Sequence, residues 1–184
     1  MIRYLPNLLS GLRLLAAPLA AWLILNEHDI AALLIFTGAG ASDGLDGFFA
    51  RRWGVTSDFG AWLDPTADKL LMLFSFLSLF AIGVAPWWLV ALVVCRDGVI
   101  VFGWLLIKLF ALSVETNPLL FGKISTLVQA LYIFTVLLLL AFDLDAPHLA
   151  LAAAWTCGLF TLLSAVAYAR IFLRGLIAGR PMAS

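Results

Sequence analysis

The sequence predicts an all-α integral membrane protein of six transmembrane helices, with both termini on the cytoplasmic side. One domain is expected over residues 1–184. Three observations predict it. Of the 184 residues, 64% are hydrophobic and only 12% are charged, whereas a soluble domain is about half apolar and about a quarter charged. The mean hydropathy of +1.09 implies more apolar surface than one aqueous core can hide, so the solvent must be lipid. Polar breaks then divide the apolar sequence into about six runs, and the basic residues keep to alternate connections.

A spanning helix needs about 20 mostly apolar residues, and the runs are read on that scale. The first covers residues 6–25 and closes at the polar patch Asn26, Glu27, His28 and Asp29. Arg13 interrupts the apolar stretch that a secretory signal would need, so this run is read as a span. The second covers 30–50 and closes at Arg51 and Arg52. The third covers 60–82, and a short turn at 83–86 leads to the fourth, 87–109. Glu115, Thr116, Asn117 and Pro118 form a polar linker to the fifth, 121–142, and the sixth covers 148–172.

The charges orient this array. Arg3, Arg51, Arg52, Lys108, Lys123, Arg174 and Arg180 all fall in the tails or the even-numbered loops. The odd-numbered loops carry Glu27, Asp29, Asp143 and Asp145 and no lysine or arginine. Basic residues stay cytoplasmic, which places both ends inside. The balance of 11 basic and 11 acidic residues gives zero net charge. No attraction of the whole chain to a polyanion follows, and no nucleic-acid partner is expected.

Four carboxylates stand where charge is costly, at the cytoplasmic ends of the second and third spans: Asp43, Asp46, Asp64 and Asp68. A charged group in a span costs roughly 2.5–3.5 kcal/mol on insertion scales and usually marks function. Asp43 and Asp46 are three apart and Asp64 and Asp68 four apart, so on helices each pair shares a face. The short loop between these spans is expected to bring all four together. Such a cluster must bind cations, share protons or pair with bases, and hard oxygen ligands suit Mg²⁺ or Mn²⁺. A cation or proton transporter would also use buried acids, but it needs polar groups continuing through the bilayer. Gly38, Gly40, Gly44, Gly47, Ala50 and Gly60 surround the acids. They serve close helix packing or the approach of a phosphorylated ligand to the backbone.

The segment Asp43-Gly-Leu-Asp46-Gly47-Phe-Phe-Ala50-Arg51, eight residues, then Gly60-Ala-Trp-Leu-Asp64-Pro-Thr-Ala-Asp68 resembles the signature of the CDP-alcohol phosphotransferase family at every fixed position. The resemblance implies that Asp43, Asp46 and Asp64 ligate a pair of divalent ions that hold the pyrophosphate of CDP-diacylglycerol. Asp68 would complete that metal site and act as general base. Asp46, Gly47, Ala50, Arg51 and Gly60 would line the cytidine and phosphate pocket. It also implies a homodimer, with the active site at the cytoplasmic face of the inner membrane if the source is bacterial.

The acceptor is read from other residues. Leu5-Pro6-Asn7-Leu8-Leu9-Ser10-Gly-Leu-Arg13 and Leu63-Asp64-Pro65-Thr66-Ala67-Asp68-Lys69 resemble the branch whose acceptors are glycerol 3-phosphate or phosphatidylglycerol. Arg96-Asp97 and Gly122-Lys123-Ile-Ser-Thr126-Leu-Val-Gln129 resemble its cardiolipin-forming members, whose pattern is Ser-Lys-Val-Asn-Thr-x-x-Gln. Gly122 replaces the serine. Members acting on glycerol 3-phosphate typically carry a second Arg where this chain has Trp104 and a second Lys where it has Ser125. Fewer cations suit the phosphodiester of phosphatidylglycerol better than a glycerol phosphate dianion. Arg96, Lys123 and Arg170 are the candidate cations for the acceptor phosphate, with Asn7 and Arg13 bracing the site. For Arg96 the competing role is a structural pair with Asp97; for Lys123 and Arg170 it is an interfacial anchor. His28 and His148 are read as solvated loop residues, the seven tryptophans as an interfacial belt, and Cys95 and Cys157 as buried thiols.

Overall fold

The computed structural model describes the backbone of residues 5–53, 58–109 and 120–178, and side chains within 11–42, 66–107, 109 and 120–174. Among these residues the chain is all-helical. Its six helices are α1 (Leu5–Leu25), α2 (Asp29–Trp53), α3 (Asp58–Ala81), α4 (Trp87–Leu109), α5 (Leu120–Ala141) and α6 (Pro147–Ala178). Their ends fall within three residues of the expected spans, except where α6 runs on to Ala178. α2 likewise continues through Arg51 and Arg52. Leucine, alanine and arginine are good helix formers, so leaving the apolar run ends a membrane crossing without ending the helix.

α4, α5 and α6 are each long and apolar enough to cross a membrane, over Trp87–Ile107, Leu120–Ala141 and Pro147–Arg174. The described parts of α1 and α2 add shorter apolar stretches, Gly11–Leu25 and Asp29–Ser42. Large apolar side chains cover the outside, among them Leu15, Leu34, Phe102, Leu105 and Trp155. An exposed surface this apolar has no aqueous rationale.

The helices that close on the odd-numbered loops share one ending. The His28 N–H donates to the Leu23 carbonyl while Glu27 donates to Ile24. Val84 and Gly83 repeat the pattern onto Leu79 and Phe80, and Leu144 and Asp143 repeat it onto Leu139 and Leu140. This paired reversal needs one left-handed residue. Glu27 (φ 58°), Gly83 (φ 80°) and Asp143 (φ 50°) supply it.

Contacts divide the chain into two compact units, Met1–Ala85 with Ile133–Pro147, and Pro86–Tyr132 with His148–Ser184. In unit 1, α1 makes its widest contact with α3 and a narrower one with α2. The buried face of α1 is Arg13, Ala17, Ala20, Ala21 and Ile24, and that of α3 includes Ala67, Leu71, Ser75 and Ser78. Both follow helical spacing; small residues make up half of what each helix buries and let helix backbones approach closely in lipid, and Leu23 of α1 with Phe76 and Leu79 of α3 are buried beside them.

In unit 2 the close approaches are made by rings entering glycine gaps. A Cβ on Gly103 of α4 would fall on the ring of Phe172 of α6, and one on Gly158 of α6 would lie 2.6 Å from Trp88 of α4. Trp88 also stacks on Trp155 at 4.7 Å.

Candidate active site

Asp43 and Asp46 lie on α2 and Asp64 and Asp68 on α3. Both stretches are helical, so each acidic pair has the spacing that puts it on one helix face. The expectation that α2 and α3 meet directly is qualified by the packing. Among the described residues their mutual contact is the narrowest in unit 1, and α1 is the helix both share. The side chains of Asn7, Asp43, Asp46, Gly47, Ala50, Arg51, Gly60 and Asp64 lie outside the described residues.

Asp68 is described, and α1 reaches it. Arg13 is fully buried, and its Nη1 stands 3.1 Å from the Asp68 Oδ1, whose side chain is 36% exposed. A guanidinium removed from water needs a counterion, and here the counterion belongs to the acidic motif. At Asp68, pairing with a base, one of the three outlets weighed for these acids, is present.

Next to the motif, Ser42 of α2 donates from its Oγ to the Ala39 carbonyl at 2.7 Å. Gly38 and Gly40 are exposed, and a Cβ at either would meet no atom within 4 Å. The small-residue packing expected of these two glycines is not what the structure shows. Gly38 instead lines a cavity of about 400 Å³ with Leu12, Arg13, Leu19, Ile35 and Ser42.

The donor set suits a divalent cation by its chemistry. It is all carboxylate oxygen, held at helical spacing on two helices with a common neighbour, and such ligands select hard ions such as Mg²⁺ or Mn²⁺.

The acceptor candidates lie in unit 2. Arg96 of α4 is buried, and its guanidinium is heavily engaged. Nη1 donates to the Asp97 Oδ1 at 2.6 Å. Nε and Nη2 donate to the Ser164 Oγ of α6 at 3.3 and 3.2 Å, and Nη2 also donates to the Gly122 carbonyl of α5 at 3.4 Å. The competing role weighed for Arg96, a pair with Asp97, is thus present, and the side chain also ties three helices together. Lys123 and Arg170 are exposed.

Below Arg96 the seam between α5 and α6 is polar. Gln129 donates to Thr161 at 3.1 Å and to Ser125 at 3.4 Å, and all three are buried. Thr161, Ser164 and Tyr168 were not singled out from the sequence. The signal was available: Cys157, Thr161, Ser164, Tyr168 and Phe172 recur every three or four residues along an apolar run, marking one face of a helix. Cys157 is buried as expected, whereas Cys95 is exposed on α4. His28 and His148 are exposed.

The sequence model of the CDP-alcohol phosphatidyltransferase family matches residues 3–169, a range that includes every acid above. The chain is 33% identical to a probable phosphatidylglycerophosphate synthase of Mycobacterium tuberculosis, across 100% of this chain and 88% of that protein. It is 32% identical to the rat cardiolipin synthase (CMP-forming), over 85% of this chain and 57% of the relative. A rice chloroplastic CDP-diacylglycerol–glycerol-3-phosphate 3-phosphatidyltransferase is also 32% identical, over 89% of this chain and 55% of the relative. The chain thus spans little more than half the length of the rat and rice proteins.

Proposed function

Because the chain belongs to the CDP-alcohol phosphatidyltransferase family, we propose that it transfers the phosphatidyl group of CDP-diacylglycerol to phosphatidylglycerol, yielding cardiolipin and CMP. It does so as one membrane domain of six spans over residues 1–184, with both termini and the active site on the cytoplasmic side of the inner membrane. The observation that carries the reading is Asp68, an acid of the complete eight-position motif, gripped by a buried arginine from another helix.

Each motif residue has a task. Asp43, Asp46, Asp64 and Asp68 would hold two divalent ions, Mg²⁺ or Mn²⁺, which would supply neutralisation of the phosphate oxygens that otherwise repel a nucleophile and stabilisation of the departing phosphate. Asp46, Gly47, Ala50, Arg51 and Gly60 line the nucleotide pocket, where the absent or short side chains of Gly47, Ala50 and Gly60 leave room for cytidine and its phosphates. A hydroxyl of the acceptor is a poor nucleophile until a base removes its proton, and Asp68 is that base. As the acceptor oxygen bonds to the phosphatidyl phosphorus, the bond from that phosphorus to CMP breaks and the proton passes to the Asp68 carboxylate. Arg13 fixes the orientation of that carboxylate, with Asn7 on the same helix. Lys123 and Arg170 supply cations for the acceptor phosphate, and Arg96 holds the acceptor side together. The family resemblance extends the proposal to a homodimer.

A second reading keeps the chemistry and takes glycerol 3-phosphate as acceptor; relatives with names of both kinds stand at similar identity. Position 104 favours phosphatidylglycerol, because Trp104 is exposed and uncharged where the rival pattern has a second arginine. Purified protein incubated with CDP-diacylglycerol and each acceptor separately decides the matter. Cardiolipin and CMP are expected with phosphatidylglycerol and added Mg²⁺ or Mn²⁺, and a chelator should stop both. Consumption of glycerol 3-phosphate alone would overturn the acceptor assignment. Metal-driven ion flux without CMP would overturn the enzyme.

A further inference from the structure

Gly122 stands in the first turn of α5, buried, in the place where the resembled pattern has serine. A Cβ added there would lie 2.6 Å from the Tyr168 Oη, 3.1 Å from its Cε2 and 3.3 Å from its Cζ. A side chain at 122 would require that phenol to shift. The space of a side chain on α5 has been filled from α6, and the atom nearest to it is again a hydroxyl oxygen.

The phenol ring has neighbours on α4 and α6. Its ring stacks on Phe172 at 6.1 Å and 28°, and Phe172 is itself seated over Gly103. The Arg96 Cζ lies 6.0 Å from the centre of the Tyr168 ring, and Arg96 donates to the carbonyl of the same Gly122. Ring packing explains an aromatic residue here but not the hydroxyl, which makes no hydrogen bond among the described residues. A phenol O–H normally finds a partner, and Tyr168 is only half-buried, which leaves its hydroxyl open to a partner from outside the chain. The next residue along α5 is Lys123, which is exposed.

Position 125, where the rival pattern adds a lysine, is fully buried, and its serine accepts from Gln129. That position serves the seam between α5 and α6. A neutral donor at 168 adds a hydrogen bond without adding charge, which suits a singly charged phosphodiester.

We propose that Tyr168 is a specificity-determining residue: its hydroxyl, presented over Gly122 in place of a serine hydroxyl, donates a hydrogen bond to the phosphodiester of the acceptor lipid. This rests on the acceptor-side reading given above for Lys123 and Arg96.

The test is a double-mutant cycle with steady-state kinetics in detergent, using CDP-diacylglycerol with phosphatidylglycerol and, in parallel, with glycerol 3-phosphate. Y168F should raise KM for phosphatidylglycerol about tenfold, the effect of losing one hydrogen bond to a charged group. Its kcat and its KM for CDP-diacylglycerol should stay near wild type. G122S alone should lose both activity and thermal stability, because its Cβ meets the phenol oxygen. G122S combined with Y168F removes the 2.6 Å contact, leaves those at 3.1 and 3.3 Å and restores a hydroxyl. It should recover stability and return the acceptor KM toward wild type. An unchanged acceptor KM in Y168F, or a double variant no better than G122S, overturns the role of Tyr168 while wild-type turnover leaves the enzyme reading standing. Wild-type protein that releases CMP with neither acceptor sinks that reading and the role of Tyr168 together.

Discussion

Among the described residues, each compact unit buries one arginine beside an aspartate, and the two pairs are built differently. In unit 1, Arg13 crosses from α1 to α3 to reach Asp68, a member of the acidic motif. In unit 2, Arg96 pairs with Asp97, its own neighbour in sequence, and spends its remaining contacts on Ser164 and the Gly122 carbonyl. The Asp68 and Asp97 side chains are similarly exposed, 36% and 30%. What differs is whose charge is neutralised. Arg13 ties α1 to an acid of the motif on α3, whereas Arg96 pairs with its own sequence neighbour and joins helices. A buried arginine in a lipid-facing chain therefore does not by itself mark a substrate site; the aspartate it answers to is the more informative residue.

The largest effect should separate the two aspartates. Asp68→Asn removes the proposed base, and CMP release should fall by about 10²–10⁴-fold, the usual contribution of a general base. Asp97→Asn removes a counterion of similar exposure and should keep turnover within about tenfold of wild type. Equal losses in a CMP-release assay would erase the distinction between the units.

Stability should separate the arginines next. Removing one partner of a buried pair typically costs about 3–5 kcal/mol, while replacing both partners with apolar residues is often neutral or better. Arg13→Ala and Arg96→Ala should both unfold at lower temperature in detergent, each by less than the full figure because the aspartates are partly exposed. Arg96→Met with Asp97→Leu should recover most of the stability and a measurable fraction of activity. Arg13→Met with Asp68→Leu should recover stability alone. Activity in the latter would show that the ion pair in unit 1 is as purely structural as the one in unit 2.

This contrast was only half legible in the sequence. The six helices were readable because lipid demands long apolar runs and polar breaks are abrupt, so their ends fall close to expectation. The motif acids were readable because charge in such runs is costly. Arg13 could be named as a brace, since an arginine inside an apolar run must find a partner, but its choice of Asp68 depends on how α1 packs against α3. The continuation of α6 to Ala178 was missed because hydropathy reports the membrane and not the helix. The exchange between Gly122 and Tyr168 was unreadable for another reason: the two residues are joined only by the packing of α5 on α6. Glu27 and Asp143 in the left-handed region were also hidden, because neither is the glycine that usually signals such a cap.

Glycines sharpen the comparison at a smaller scale. Gly103 in unit 2 receives the Phe172 ring where a Cβ would stand, whereas Gly38 in unit 1 faces open space. Gly103→Ala should overpack and cost about 1–3 kcal/mol. Gly38→Ala should stabilise by about 0.5–1 kcal/mol, the gain expected when a helical glycine becomes alanine without a clash. Thermal unfolding in one detergent reads both. A loss at both positions would mean that Gly38 approaches another surface that the isolated chain lacks.

The smallest effects lie at the loops, where unit 1 holds the three left-handed caps present among the described residues. A left-handed conformation costs a residue with a Cβ about 1 kcal/mol or more, and glycine far less. Glu27→Gly should therefore raise stability by up to about 1 kcal/mol, and Asp143→Gly by less, because aspartate tolerates this region better than glutamate. Gly83→Ala should lower it by a similar amount although no atom stands within 4 Å of the added Cβ, so the penalty is backbone strain alone. Activity should not move in any of the three, since the caps close helix ends remote in sequence from the acids. If Glu27→Gly destabilised instead, the carboxylate would have to be contributing more than its backbone conformation costs. The acidic character of that loop would then be structural as well as topological.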